Sequence, residues 1–401
     1  MSLKVLQINA VYGVGSTGTI VRDLVHICNL SGIECYVASP DKNVKETKNH
    51  FVIGSVFDHK LHALLTRLTG KQGYFSRLAT INLLRYIDKV NPNIVHLHNL
   101  HSNYINLNIL FEYLAKKDIP TVISLHDCWF YTGGCFHYTA IGCKGWLNSC
   151  GHCPKGAKFI KCSFMDKSAS ILADRKKYLL NIPRLFVVGV SNWIAEEASK
   201  TFLKNKTITA IRNGVDMTVF KPTESDLKNK LRLTNKYVIL GPGSKWLSQI
   251  NRDVLDNFTS NMRDDEVLLL YGISYYTGKL PSNVVLYGYT KDRQELSSLY
   301  TMADVFVNVS REDSLSLINV EAQACGTPVV TFDATGPKET VDEQYSFSVH
   351  VGDTKQLIET VHRIRDNHTD CVAEGCRSFV INQYDMPSQY MKFVDLYRDI
   401  K

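Results

Sequence analysis

Short apolar runs alternate with amphipathic segments along most of the chain. "KVLQINAVYG" is a β-branched run closed by Gly13, and "IECYVAS", "NIVHLHN", "TVISLHD" and "LFVVGVS" repeat the theme. Between the first two, "GSTGTIVRDLVHICNLSG" reads as a glycine-rich turn and a helix, with Ile20, Leu24, Ile27 and Leu30 on one face. Such alternation predicts buried parallel strands joined by crossover helices, an α/β fold. The pattern restarts after "RNGVDMTVFKP": "KYVILGPGS", "EVLLLYGI", "NVVLYGY", "DVFVNVS" and "PVVTFD" are strands, with "RQELSSLYTMA" and "LINVEAQAC" as helices between them. Asn213-Gly214 and Pro222 mark the join. The expected domains are residues 1–212 and 213–384, with a last helix, 385–401, crossing back to the first. Two doubly wound domains facing each other would bring the carboxyl ends of both sheets to one cleft, where such sheets bind ligands. The plainer alternative is two unrelated α/β domains.

Composition narrows the class. The 401 residues suit two domains at roughly 100–200 residues each. A hydrophobic content of 44% with 21% charged residues is ordinary for a soluble protein. No apolar run approaches the roughly 20 residues of a spanning helix. The N-terminal "MSLKVLQINAVYG" reads as a strand and not a signal peptide, so a cytoplasmic protein is expected. The net charge of +7, from 46 basic and 39 acidic residues, is mild. It suits a polyanionic ligand or an acidic membrane surface, and with no basic tail or binding motif no nucleic-acid partner is expected. Eleven cysteines without an export signal read as thiols or metal ligands, not disulfides.

The stretch "SREDSLSLINVEAQACGTPVV" carries the most chemistry. Ser314 is placed as the N-cap of a helix from Leu315 to Cys325, with Gly326 as its C′ residue. The first-turn amides near Ser316 and Leu317 lack partners and, with the helix dipole, favour a phosphate. Glu321, two turns in, has Leu317, Ile318, Ala324 and Cys325 as helical neighbours. A carboxylate in apolar surroundings needs hydrogen-bond donors, and a ribose diol supplies two. Asp313, just before the helix, would meet sugar hydroxyls. The implied ligand is a nucleotide-sugar. The alternative is an ordinary capped helix whose dipole Glu312 and Asp313 complement.

Two further segments stand out. "CFHYTAIGCKGWLNSCGHCP" puts Cys135, Cys143, Cys150 and Cys153 in one loop ending in C-x-x-C. That pattern suits either a closed structural zinc or a cluster of reduced thiols, with Cys128 and Cys162 as bystanders. "DHKLHALLTRLTGKQGYFSRLATINLLRYIDK" interleaves Lys60, Arg67, Lys71, Arg77, Arg85 and Lys89 with Leu61, Leu64, Leu65, Leu68, Tyr74 and Phe75. It reads either as a surface for anionic lipid or as a helix packed on the sheet with a solvated basic face.

"DSLSLINVEAQACGTPVV", with "GSTGTIV", "HLHNLHSNYINL", "LHDCWFYTGGCFHY", "SNWIAEEA" and "IRNGVDMTVFKP", resembles the retaining family-four glycosyltransferases of the GT-B fold, of the bacterial capsule, exopolysaccharide and O-antigen type. The resemblance covers nearly the whole chain. It implies that Glu321 holds the ribose, that Asp313 lies by the donor sugar, and that His126 contacts that sugar or its phosphate. It implies that Gly15, Ser16, Thr17 and Gly18 let backbone approach the diphosphate and that backbone near Tyr289 reads the base. The implied reaction is sugar transfer with retention to a saccharide acceptor, lipid-linked at the inner-membrane surface, without a catalytic metal or other cofactor.

The chain departs from the pattern in four places. Asp313 stands for Glu, Ser316 for Gly and Thr19 for Arg, and the usual basic pair falls on Gln249 and Ile250. Lys245 and Arg252 flank that pair and are the candidates to replace it. Cationic stabilisation of a leaving diphosphate is a large catalytic term. Its weakening leaves open a non-catalytic nucleotide-sugar-binding or scaffold subunit as a different class. A nucleotide-sugar epimerase is a third reading, and a zinc-dependent nucleic-acid module a fourth with less support.

Overall fold

Seven parallel strands make the sheet of the first unit in this computed structural model, which describes residues 2–41, 49–155, 165–367 and 371–401. They are β1 (Lys4–Ile8), β2 (Glu34–Ser39), β3 (His50–Val52), β4 (Ile94–Leu97), β5 (Thr121–Leu125), β6 (Leu185–Gly189) and β7 (Thr207–Ala210). Their spatial order is β3-β2-β1-β4-β5-β6-β7. β1, β4 and β5 are buried along almost their whole length, as expected of central strands covered on both faces.

The second unit holds six parallel strands: β8 (Tyr237–Pro242), β9 (Glu266–Tyr271), β10 (Val284–Tyr287), β11 (Val305–Asn308), β12 (Val329–Phe332) and β13 (Phe347–Val349). Their order is β10-β9-β8-β11-β12-β13. Each sheet reverses its winding once, between β1 and β4 and between β8 and β11, and in such sheets that reversal is where ligands bind. The core of the second unit gathers Ile239, Leu268, Val307 and Val330 from its strands with Trp246, Phe258 and Leu357 from its helices.

The first unit comprises Met1–Arg212 with Gln389–Lys401, and the second Asn213–Ser388. The last helix, Met386–Ile400, therefore begins in one unit and ends in the other. Its Tyr397 is fully buried and takes a hydrogen bond from Gln7 of β1.

Three local expectations need correction. The glycine-rich turn after β1 is already helix, since Gly15–Leu30 is one element. Leu30, its final residue, is 73% exposed and leaves the buried face that Ile20, Leu24 and Ile27 share. The helix after β11 starts at Leu317 rather than Leu315 and ends at Ala324. Cys162 lies outside the described residues.

Candidate active site

In the second unit the chain leaves β11 through a loop fastened by Asn308. Its buried amide donates to Ser316 Oγ and to Asn319 Oδ1, both at 2.8 Å, and its Oδ1 accepts from the Ser310 amide at 3.0 Å. One side chain thus ties both ends of the loop. A second clamp comes from the turn after β12: Thr335 Oγ1 donates to the Asp313 carbonyl at 2.7 Å, and the Gly336 amide to the same oxygen at 3.1 Å. A Cβ on Gly336 would lie 2.0 Å from the Ser314 carbonyl oxygen, so only glycine fits there.

Ser316, not Ser314, is the N-cap, and it makes no side-chain capping bond. Its φ of 71° and ψ of 69° lie in the left-handed region. That explains why glycine suits this place and why serine is strained there. The Ser314 hydroxyl is buried without a hydrogen-bond partner among the described residues. Leu317 and Ile318 head the helix, where amides have no carbonyl one turn behind them.

Glu321 is the fifth residue of the helix, nearer its start than two turns. Tyr300 donates to Glu321 Oε2 at 3.0 Å, and the Tyr300 and Tyr271 hydroxyls are 3.2 Å apart. Burial pushes the Glu321 carboxyl up to about 7, against smaller opposing effects of Tyr300 and Arg293. A carboxyl in this state gains from further donors that reward its charged form. Asp313 Oδ1 accepts from the neighbouring Ser314 amide at 2.7 Å, which fixes that carboxylate at the loop.

Lys245 lies on the short helix Gly243–Trp246 that follows β8, the strand beside β11. It is half-buried and has no ion-pair partner among the described residues. Arg252 is exposed, pairs with Asp256 at 3.0 Å and reaches Tyr276 OH at 3.5 Å. Of the two candidate cations Lys245 is the one left uncommitted. Gln249 and Ile250 are exposed. Tyr289, just beyond β10, is 68% exposed, and its amide reaches Ser274 Oγ at 3.4 Å. Sequence reasoning missed Tyr300 and Tyr271, Arg293, and Arg311, whose Nε donates to Asn251 Oδ1 at 2.8 Å. A tyrosine on a helix and one on a strand carry no local signal of meeting the same carboxylate.

In the first unit, Gly15, Ser16, Thr17 and Gly18 form the first turn of the helix after β1, so their amides are the orphan donors of a helix start. A Cβ on Gly18 would come within 3.1 Å of the Val11 side chain and 3.3 Å of the Gly13 nitrogen, so any other residue there would press on its neighbours. His126 follows β5, and its Nε2 lies 3.0 Å from His98 Nδ1. Burial, the largest influence, lowers His126 to about 4, so the ring is neutral at physiological pH.

The four cysteines read as either zinc ligands or reduced thiols come together in the structure. Cys135, Cys143, Cys150 and Cys153 do line one pocket with Tyr138 and Trp146. Cys150, Gly151 and His152 have the positive φ angles of a tight knuckle. Among the described residues, however, no three thiol, imidazole or carboxylate groups are grouped so as to hold a metal ion. Protein contacts close the loop: Tyr138 and Trp146 stack at 4.4 Å, Trp146 Nε1 donates to the Cys143 carbonyl, and the Cys150 amide donates to the Gly145 carbonyl. Burial, then the neighbouring cysteines, push the Cys135 thiol up to about 12.

The family pattern described as Glycosyltransferase Family 4 matches residues 17–219, and that described as Glycosyl transferases group 1 matches residues 230–367. An Escherichia coli K12 protein provisionally named as a colanic acid biosynthesis glycosyl transferase is 24% identical over 379 residues, covering 89% of this chain and 90% of its own. An Escherichia coli UDP-Gal:alpha-D-GlcNAc-diphosphoundecaprenol alpha-1,3-galactosyltransferase is 24% identical over 216 residues, 48% of this chain and 54% of its own. Among solved structures, Anabaena HepE in complex with UDP-glucose is similar in fold, with a TM-score of 0.66 at 14% identity over 99% of this chain and 100% of that one. A chain with two Rossmann-like sheets and these matches across both units belongs to the family 4, group 1 glycosyltransferases of the GT-B fold.

Proposed function

We propose that the chain transfers a hexose from a nucleoside-diphosphate sugar, with retention, to a saccharide acceptor carried on a lipid, in the assembly of a surface polysaccharide. The observation that carries this reading is Glu321: a carboxyl pushed up to about 7 by burial, seated in a helix whose start has no side-chain cap among the described residues. A ribose diol on Glu321 and a diphosphate at the helix start would satisfy both at once. Relatives named for colanic acid biosynthesis and for a diphosphoundecaprenol-linked acceptor support the substrate classes. In this reading Asp313 and His126 lie by the transferred sugar, Gly15 to Gly18 approach the diphosphate with backbone, and Tyr289 marks the base. No residue is assigned as nucleophile, and the chemistry is charge stabilisation by backbone dipoles and a cation. Screening of donors with product analysis tests the reading. Transfer supports it, whereas donor binding without turnover favours a non-catalytic subunit, and donor isomerisation favours an epimerase.

Lys245 is proposed as the main diphosphate cation, because Arg252 is already held by Asp256. A charge-assisted contact is worth about 1.5–3 kcal/mol. Lys245→Ala is therefore expected to slow turnover by about one to two decades, and Arg252→Ala by less. Equal or absent effects in a steady-state transfer assay would show that the missing basic pair has not been replaced in this way.

The same reading places the chain on an anionic lipid surface as a peripheral protein. Among the described residues no helix is long and apolar enough to cross a membrane. The helix Val56–Thr69 buries only His62 and Thr66 and turns its apolar residues outward. Phe57 is 76% exposed, Leu61 44%, Leu64 52% and Leu68 52%, all on one stripe. Lys60 and Arg67 on that helix, and Arg77 and Arg85 on the helix Arg77–Val90, are exposed as well. A stripe of this kind suits insertion into the headgroup region, with the cations on lipid phosphate.

A further inference from the structure

A single hydrogen-bonded chain runs through the interior of the first unit and ends on His126. The Gln7 amide nitrogen donates to Tyr397 OH at 3.1 Å, and Tyr397 OH lies 2.5 Å from His96 Nδ1. His96 Nε2 reaches Ser124 Oγ at 2.8 Å. On the other side, Gln7 Oε1 lies 2.8 Å from His98 Nε2, and His98 Nδ1 lies 3.0 Å from His126 Nε2. Gln7, His96, His98 and Ser124 are at most 1% exposed, and Tyr397 is fully buried.

With the Gln7 amide placed as it is, its oxygen toward His98, the donors and acceptors set the protons. A carbonyl oxygen only accepts, so His98 Nε2 carries a hydrogen. Burial keeps His98 neutral, so its Nδ1 holds a lone pair, and His126 Nε2 must be the donor across the 3.0 Å contact. Neutral His126 then has no hydrogen on Nδ1. The reverse arrangement requires Gln7 to exchange its amide ends and every proton in the chain to move with it.

We propose that Gln7, acting through His98, holds His126 as the Nε2–H tautomer, so that His126 meets its substrate through the Nδ1 lone pair and accepts from a sugar hydroxyl. A phosphate oxygen, which also only accepts, is then excluded as the partner of His126. Gln7 and His98 are positioning residues. The substrate half of this inference rests on the reading of His126 as a donor-side residue; the tautomer half does not.

The test is proton–nitrogen correlation NMR on protein labelled with 15N-histidine, the His126 ring being identified by its loss in His126→Phe. The wild-type chain is expected to show a protonated Nε2 and a bare Nδ1 at His126, and a proton on Nδ1 overturns the proposal. Gln7→Leu is expected to move the His126 signals to a mixture of tautomers and to lower turnover about tenfold, the worth of one neutral hydrogen bond. A His126 tautomer indifferent to this substitution overturns the proposal. Should Gln7→Leu fail to fold, the wild-type spectrum still decides. A wild-type chain with the Nε2–H tautomer that transfers no sugar would overturn the transferase reading and leave the relay standing.

Discussion

Glu321→Ala is expected to weaken nucleoside-diphosphate binding at least about a hundredfold. Two hydrogen bonds from a ribose diol to a charged carboxylate are worth about 1.5–3 kcal/mol each, and alanine supplies no acceptor in their place. Calorimetry with a set of nucleoside diphosphates measures this directly, and unchanged affinity would remove Glu321 from the donor site. The same carboxyl gives a pH signature. Its folded value of about 7 stands above the ordinary 4.5. Between those values the folded chain keeps the proton and the unfolded chain has lost it, so this group lowers stability as pH rises through the window. Glu321→Gln is therefore expected to be more stable than wild type at pH 8, on the order of 1–2 kcal/mol after allowance for partial solvent access, with no gain at pH 4. A stability difference independent of pH, in thermal melts of the ligand-free protein, would contradict the raised carboxyl.

The second large effect concerns the outward stripe on Val56–Thr69. Replacement of Phe57, Leu61, Leu64 and Leu68 with serine is expected to lower binding to vesicles containing anionic lipid at least about a hundredfold. Each side chain fully removed from water contributes about 1.5–3 kcal/mol, and four acting together exceed that drop even when only partly inserted. These side chains are 44% to 76% exposed, so the melting temperature should scarcely change. Binding should also fall with salt, because the flanking cations are exposed. Vesicle sedimentation decides: equal binding of the variant, or none by wild type, would end the lipid assignment.

Much of this was legible in the order of residues because burial writes itself as composition. β1, β8 and β11 are nearly continuous apolar runs, since both their faces are covered. β3, β7 and β13 were not legible. All three close the edge of a sheet. They are short, and β7 alternates exposed with half-buried residues, so neither length nor hydrophobicity marks them. The candidate site divides in the same way. Glu321 stands out in sequence as a charge among apolar helical neighbours. Its partner Tyr300, and the link from Gln7 to Tyr397, join positions whose separation only the folded sheet removes. The left-handed backbone at Ser316 was hidden too, because serine does not advertise it as glycine would.

The last helix sets an order of events during synthesis. Gln7 and His96 are in place early in translation, yet the hydroxyl they share belongs to Tyr397. All of residues 213–388 must be made before that side chain leaves the ribosome. At the usual pace of elongation this is a wait of roughly ten to forty seconds. During it the place of the last helix stands open, Gln7 and His96 bond to water where Tyr397 will sit, and the interior of the first unit is sealed only after the second unit has had time to fold.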